Sequence, residues 1–299
     1  IYLIQIKMIN IKKLKNDYLG KGKNIILPYS KKLTNGEVNI SKYSGLVSVI
    51  KRRSSTELAD EWSSKIFGAK FSKSSYTSKI PAVIARQIYV LETMKNKIKL
   101  NQKNICDFGA GEGDFLKMIK DSKLSSKLFA IEPSKKNCKY LKKNRIKTFQ
   151  GTVEDFYKIK KNKRFDVITI IWTLCNTSNC FDVINCASNL LKKNGHIVIA
   201  ESSRILVPYK KPIQMYFGNP DPDSHPFHFS KNSLSNLLVL NKFNPVFINR
   251  YIDSDYLVII AKKTTRVNKK KKIFDDYKKV KKFFISWYKD SKKYNSEIL

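Results

Sequence analysis

Residues 104–119, Asn-Ile-Cys-Asp-Phe-Gly-Ala-Gly-Glu-Gly-Asp-Phe-Leu-Lys-Met-Ile, constrain the fold of this chain more than any other stretch. An apolar start, an acid, three alternating glycines and a helix-like apolar pattern read as strand, tight turn and helix. Glycine lets the backbone turn sharply at positive φ and lets a ligand approach without a Cβ in the way. Gly109, Gly111 and Gly113, with Ala110 between the first two, therefore predict a nucleotide-sized ligand at the turn. The spacing narrows the choice. A dinucleotide fingerprint, Gly-x-Gly-x-x-Gly, needs its third glycine at position 114, where Asp114 stands, so a nicotinamide cofactor is disfavoured.

The same alternation continues downstream. Apolar strand patterns at 104–108, 127–132, 146–149, 165–171 and 196–201 are separated by amphipathic helices. The helices follow Gly113, run over about 134–144, form a short turn near 154–160 and run over about 180–191. This is the signature of an α/β domain with a mainly parallel sheet. Asn194-Gly195 reads as a helix stop with a tight turn into the next strand. A Ser-capped helix over 230–240 is followed by apolar runs at 244–251 and 255–261. Two strands so close cannot be joined by a crossover helix, so they form an antiparallel hairpin. The expectation is a seven-stranded, mostly parallel sheet with an antiparallel C-terminal hairpin, flanked by an N-terminal extension and a C-terminal helix.

The flanks divide the chain into an N-terminal segment 1–99 with helices that form a substrate lid, a central domain 100–263 and a basic C-terminal helix 264–299. Little regular structure is expected before about position 40. Tyr43–Ile50 reads as a short strand, and Glu57–Phe67 as a helix with Leu58, Trp62 and Ile66 on one face. A further helix covers 76–94, with Pro81 in its first turn and Val83, Ile84, Ile88 and Leu91 at helical spacing. Arg86 and Tyr89 project from it, as a solvated Arg beside a half-buried Tyr in preference to a role at a site mouth. After Lys269–Lys272, the stripe Phe274, Tyr277, Val280, Phe284 and Trp287 marks a basic helix, for which docking on its own domain is favoured over a membrane or nucleic acid.

The glycine loop with its preceding acid, the acid Glu132 about 20 residues past the loop, and the terminal hairpin together resemble the class I S-adenosylmethionine-dependent methyltransferases, of Rossmann-like fold. The resemblance implies S-adenosylmethionine as cofactor. It assigns Asp107, Gly109, Ala110, Gly111 and Gly113 to the cofactor loop, with Asp107 ordering the loop and the cofactor amine. Glu132 can accept hydrogen bonds from ribose hydroxyls, and Thr152, Val153 and Glu154 match the stretch that faces adenine. Phe165–Asn176, including Trp172, resembles the family's fourth strand and the loop facing the methionine part and the substrate. Many small-molecule members, including those of quinone biosynthesis, place Glu-His after the leucine of this loop. Here Cys175-Asn176 follows Leu174, so the local histidine is missing.

Two of the three histidines, His225 and His228, lie between the fifth strand and the helix at 230, on the side where parallel-sheet proteins keep their sites. Either could act as the general base of a methyl transfer, with a pKa near neutrality. Packing or loop capping is the plain alternative for each, and His196 is structural. His225-x-x-His228 beside Asp221 and Asp223 has no third ligand fixed by spacing, so no metal is assigned. The five cysteines lack a Cys-x-x-Cys pair and read as buried reduced thiols of a cytoplasmic protein. No apolar run is long enough for a transmembrane segment. The chain opens on Ile1, and Met8 is a candidate start.

The formal charge of +35 comes mostly from Lys spread over the whole chain. A nucleic-acid partner is therefore possible but not favoured. The expected activity is methyl transfer to a small-molecule or carbohydrate acceptor. The alternatives are an RNA methyltransferase and a non-catalytic protein that binds S-adenosylmethionine or nucleic acid.

Overall fold

A computed structural model describes residues 23–30, 37–61, 81–202, 204–208, 213, 225–265 and 274–298. Trp62, Ile66, Asp221, Asp223, positions 76–80 of the helix expected over 76–94, and the lysines at 269–272 lie outside the described residues.

Among the described residues eleven strands form two sheets. Strands β4 (Ile105–Phe108), β5 (Leu128–Glu132), β6 (Lys147–Gln150), β7 (Phe165–Ile171), β8 (Leu191–Glu201), β10 (Phe243–Ile248) and β11 (Leu257–Lys263) build the large one, in the order β10-β11-β8-β7-β4-β5-β6. β4 pairs in parallel with β5 and β7, β5 with β6, and β7 with β8. β11 is antiparallel to both β8 and β10. The expected seven strands and terminal hairpin are therefore present.

Both faces of this sheet are buried, which is why its strands read as near-continuous apolar runs. On one face Cys106, Phe108, Ile168, Ile170, Ile197 and Ile199 pack against helices α5 (Val153–Ile159), α6 (Cys180–Leu190) and α7 (Lys231–Leu240). On the other, Ile105, Val167, Val198 and Ile260 pack against α2 (Pro81–Lys97), α3 (Asp114–Asp121) and α4 (Lys135–Lys143). Side-chain capping starts α4 at Ser134, α5 at Thr152, α6 at Asn179 and α7 at Ser230. Gly113, the N-cap of α3, has no side chain to cap with.

Three local expectations are corrected. Residues before 40 include β1 (Asn24–Ile26) and the first half of β2 (Val38–Ser41), because a second antiparallel sheet pairs them with β3 (Val47–Val49) and β9 (Phe227–His228) in the order β1-β2-β3-β9. Asn194-Gly195 does not stop a helix. α6 ends at Leu190 and β8 starts at once, with Asn194 at φ 63° inside a bulge where the pairing jumps from Phe165–Leu191 to Val167–His196. On α2 the buried side chains are Gln87, Val90, Leu91, Thr93 and Met94, whereas Ile88 is exposed, so the stripe that meets the sheet is rotated from the expected one.

The small sheet collects distant parts of the chain. Its strands come from the N-terminal region and from the segment between β8 and α7. Helix α8 (Tyr277–Ile298) buries Val280, Phe284 and Trp287 in one cluster with Val38, Ile40, Val47, Val49, Ile205 and Ile213. Among the described residues no helix is long and apolar enough to cross a membrane, and none of the five cysteines forms a disulfide.

Candidate active site

The carboxyl ends of β4, β5, β6, β7 and β8 meet at one edge of the large sheet. The glycine loop follows β4 and lies against the end of β5: Gly109 N–H donates to Ile131 O at 2.8 Å, and Gly111 N–H to Glu132 Oε2 at 2.8 Å. The glycines differ in what surrounds them. Gly109 has φ 70°, and a Cβ there would lie 2.4 Å from Thr173 Cγ2. Gly111 has φ 57°, and among the described residues a Cβ there would meet nothing within 4 Å. Gly109 is thus required by packing, and Gly111 faces open space through which a ligand can approach the backbone.

Two buried acids flank the loop. Asp107, 2% exposed, accepts a hydrogen bond from Thr169 Oγ1 at 2.6 Å across the β4–β7 pair. Burial raises its pKa to about 7, the Thr169 bond pulls it back, and the charge of Glu132 pushes it up again. Glu132, 5% exposed, receives the Ser134 N–H at 2.8 Å and the Asn137 amide at 3.4 Å on Oε1, and the Gly111 N–H on Oε2. Burial lifts it to about 7 as well, against the pull of those bonds. Oε2 keeps acceptor capacity beyond Gly111. A carboxylate with this much local bonding holds the loop onto β5, a task separate from the ribose contact expected of it.

Thr152 caps α5 by accepting from Asp155 N–H, and Val153 is buried behind it. Glu154 Oε1 accepts from Ser55 Oγ at 3.0 Å, and burial raises its pKa. Ser55 opens helix α1 (Ser55–Glu61), and its hydroxyl also lies 3.1 Å from Ser178 Oγ. Buried Arg52 donates from Nε to Ser178 O at 2.6 Å, bonds Val49 O, and lies over the Phe227 ring. The N-terminal region is thereby fastened to the loop after β7.

That loop is the other half of the site. Trp172, at the end of β7, adopts φ 56°; its Nε1–H is buried with no hydrogen-bond partner among the described residues, and its ring lies 5.1 Å from that of Tyr256. An unsatisfied buried donor is costly enough to call for a ligand or solvent partner. The Leu174 and Cys175 N–H groups donate to Glu201 at 2.8 and 3.3 Å, and burial raises that wholly buried carboxyl to about 7. Asn176 Nδ2 donates to Trp172 O at 3.1 Å, which turns its Oδ1 toward His225 Nδ1, 2.6 Å away. His225 thus supplies, through space, an imidazole at the loop where local sequence has none. His228 lies in β9 opposite Val47, 2% exposed, and burial together with the charge of His225 drives its pKa down to about 3. His196 pairs with Val167 and Lys262 inside the sheet.

Open space over Gly111, two carboxyls that burial has raised and that a cation would return to the charged form, and the orphan Trp172 donor fit a positively charged nucleoside. A family model described as a methyltransferase domain matches residues 76–246, more than half of the chain. The chain belongs to this methyltransferase family. A demethylmenaquinone methyltransferase of Lactococcus lactis is 29% identical over 182 residues, covering 57% of this chain and 70% of that protein. Among solved structures, a methyltransferase from Thermotoga maritima described as a possible histamine N-methyltransferase aligns with TM-score 0.52 at 15% identity, over 69% of this chain and 100% of that one. Magnesium protoporphyrin IX methyltransferase from Synechocystis PCC 6803, with bound S-adenosylhomocysteine, aligns with TM-score 0.51 at 12% identity, over 70% and 99%.

This methyltransferase uses S-adenosylmethionine. The sequence-predicted cofactor residues Asp107, Gly109, Ala110, Gly111, Gly113, Glu132, Thr152, Val153, Glu154 and Trp172 all lie at or just after the carboxyl ends of adjacent strands. Sequence reasoning passed over Arg52, Glu201 and Arg204, and set Arg86 aside as solvated. The usable signal for Arg204 was its rarity, as one of eight arginines among 59 basic residues, three positions beyond a strand-end acid.

Proposed function

We propose that this methyltransferase transfers its methyl group to a small-molecule or carbohydrate acceptor, and that His225 takes the acceptor's proton. The observation that carries the reading is the Asn176–His225 contact. Because the Asn176 amide donates to Trp172 O, its Oδ1 faces the ring, so Nδ1 carries the hydrogen and Nε2 is the basic nitrogen. His228, buried and held neutral, lies in β9 of the small sheet opposite Val47.

S-adenosylmethionine supplies an electrophilic methyl on a positively charged sulfur. Asp107 and Glu132 favour that positive charge, Gly111 admits the nucleoside, and Trp172 Nε1–H offers a donor. What remains is alignment and removal of a proton from the acceptor, the part assigned to His225. The Arg52–Ser178 and Ser55–Glu154 bonds support a small acceptor, since they fasten the N-terminal region over the loop after β7. The likeness to a demethylmenaquinone methyltransferase supports it too.

Methyl incorporation from labelled S-adenosylmethionine into sugar-nucleotide, small-molecule, lipid and RNA fractions tests the acceptor class. Label in the first two supports the reading, and label confined to RNA overturns it. His225→Ala should lower turnover about 10²- to 10⁴-fold while S-adenosylhomocysteine affinity stays within about twofold. Turnover equal to wild type would remove His225 from the chemistry.

A further inference from the structure

Beyond Glu201 the chain leaves the large sheet, and Arg204 turns back under the β10–β11 connection. The residue is 8% exposed. Nη1 donates to Asn249 Oδ1 at 3.4 Å and Tyr256 O at 3.2 Å, and Nη2 to Asn249 O at 3.3 Å; the guanidinium also lies over the Tyr251 ring, 5.7 Å from its centroid. Every one of these acceptors is neutral. A buried charge is ordinarily matched by an opposite one, because carbonyl oxygens alone repay little of its lost hydration.

The neighbouring carboxylates are engaged elsewhere. Asp253 is held in a fork by Arg250, and Asp255 is gripped by Arg86, whose Nη1 also donates to Tyr256 Oη at 2.8 Å. Glu201 is turned to the Leu174 and Cys175 amides. Three arginines therefore face two aspartates around this connection, and Arg204 is the one without a carboxylate among the described residues. Desolvation lowers its pKa while Tyr251, Tyr89 and Asp253 raise it.

The position places this charge beside the methyl-transfer site. The Tyr256 carbonyl that accepts from Arg204 belongs to the residue whose ring packs on Trp172. The Arg204 backbone bridges Phe229, next to His228 and four residues from His225. The bonds counted above leave the Nε–H and one Nη2–H of the guanidinium, a donor pair suited to two oxygens of one anionic group.

We infer that Arg204 recognises an anionic group on the acceptor, so that the molecule methylated carries a carboxylate or a phosphate. The inference rests on the methyl-transfer reading above and names the acceptor's chemistry. A strut that merely braces the β10–β11 connection through carbonyls would give the same folded structure and no response to anions.

The test uses the full chain saturated with S-adenosylhomocysteine and labelled with ¹⁵N at arginine. It is titrated with benzoate and, separately, with inorganic phosphate at constant ionic strength, so that the surface lysines stay equally screened. The Arg204 Nε–H signal, identified by its loss in Arg204→Lys, should shift saturably with at least one anion; benzoate alone points to a carboxylate acceptor and phosphate alone to a phosphorylated one. Arg204→Gln should weaken the responding anion about 10- to 100-fold by calorimetry. An Arg204 signal unmoved by either anion in the wild-type chain, or equal anion affinity in Arg204→Gln, overturns the inference. Arg204→Lys keeps the positive charge and serves the assignment, so the titration in the wild-type chain stands even where Arg204→Gln fails to fold. Failure to bind S-adenosylhomocysteine at all would instead strike the methyl-transfer reading.

Discussion

On the cofactor side of the sheet edge, Asp107, the glycine loop, Glu132 and Thr152 come from three consecutive strand–helix units, and Glu132 reaches its partners at Gly111, Ser134 and Asn137 within about one unit of chain. On the acceptor side, Arg52 meets Ser178, Arg86 meets Asp255, Arg204 meets Asn249, and Asn176 meets His225, each pair far apart in sequence. The first half is a local motif repeated along the sheet. The second is assembled from segments that only the fold brings together, and it is the half proposed above to meet the acceptor. Substitutions on the two sides should therefore fail differently.

The largest effect is expected on the acceptor side. Glu201→Ala strands the buried Leu174 and Cys175 N–H groups and should lower the unfolding free energy in urea by about 3 kcal/mol. A loss below about 0.5 kcal/mol would mean that the loop is not held from β8. Asp107→Ala should do the reverse, weakening S-adenosylhomocysteine about 10- to 100-fold by calorimetry with little change in stability, since burial already disfavours that carboxylate. Unchanged affinity would end the assignment of the loop.

Two glycines sharpen the contrast within the cofactor half. Gly111→Ala and Gly113→Ala each place a side chain at positive φ, a cost of about 1–2 kcal/mol. Only the Gly113 variant drives a Cβ to 2.4 Å from Leu141 Cδ2, and only the Gly111 variant intrudes on open space. Gly113→Ala should thus lose more stability and Gly111→Ala more cofactor affinity, as thermal melts with and without S-adenosylhomocysteine will show.

The smallest effect is pH-dependent. Asp107 and Glu132 rise from 3.8 and 4.5 to about 7, so the free folded protein keeps protons that the unfolded chain has lost. Their contribution to stability must then fall as pH rises from about 4 to about 7, where both states are ionised. A cofactor cation favours the ionised forms, so S-adenosylhomocysteine, with its ammonium group, should bind up to about tenfold more tightly at pH 8 than at pH 6 and release protons. Comparison with Asp107→Asn isolates the slope from His228, whose depressed pKa makes its own contribution fall as pH drops below 6.5. An identical slope in wild type and variant would show that Asp107 does not titrate in this range.

Much of this was legible because the informative signals were periodic or local. The strands at 105–108, 128–132 and 165–171 are buried on both faces and stand out as apolar runs between amphipathic helices. The 257–263 strand follows 243–248 too closely for a crossover, so antiparallel pairing was forced. Illegible were β1, β2 and β9, which are two to four residues long and are defined by their partners in sheet order. Arg204 and Glu201 carry no periodic signature, and their meaning lies in burial and in the partners they find.

The sequence by itself determined the wound sheet and the cofactor loop, because backbone conformation at glycine, side-chain alternation and chain length between strands are local quantities. Tertiary structure alone decided that His225 stands at Asn176, that His228 does not, and that Arg204 is a buried charge whose hydrogen bonds among the described residues go to carbonyl oxygens. Those facts depend on desolvation and on long-range pairing, and both come into existence only when the N-terminal strands, β9 and the β10–β11 connection close over the sheet.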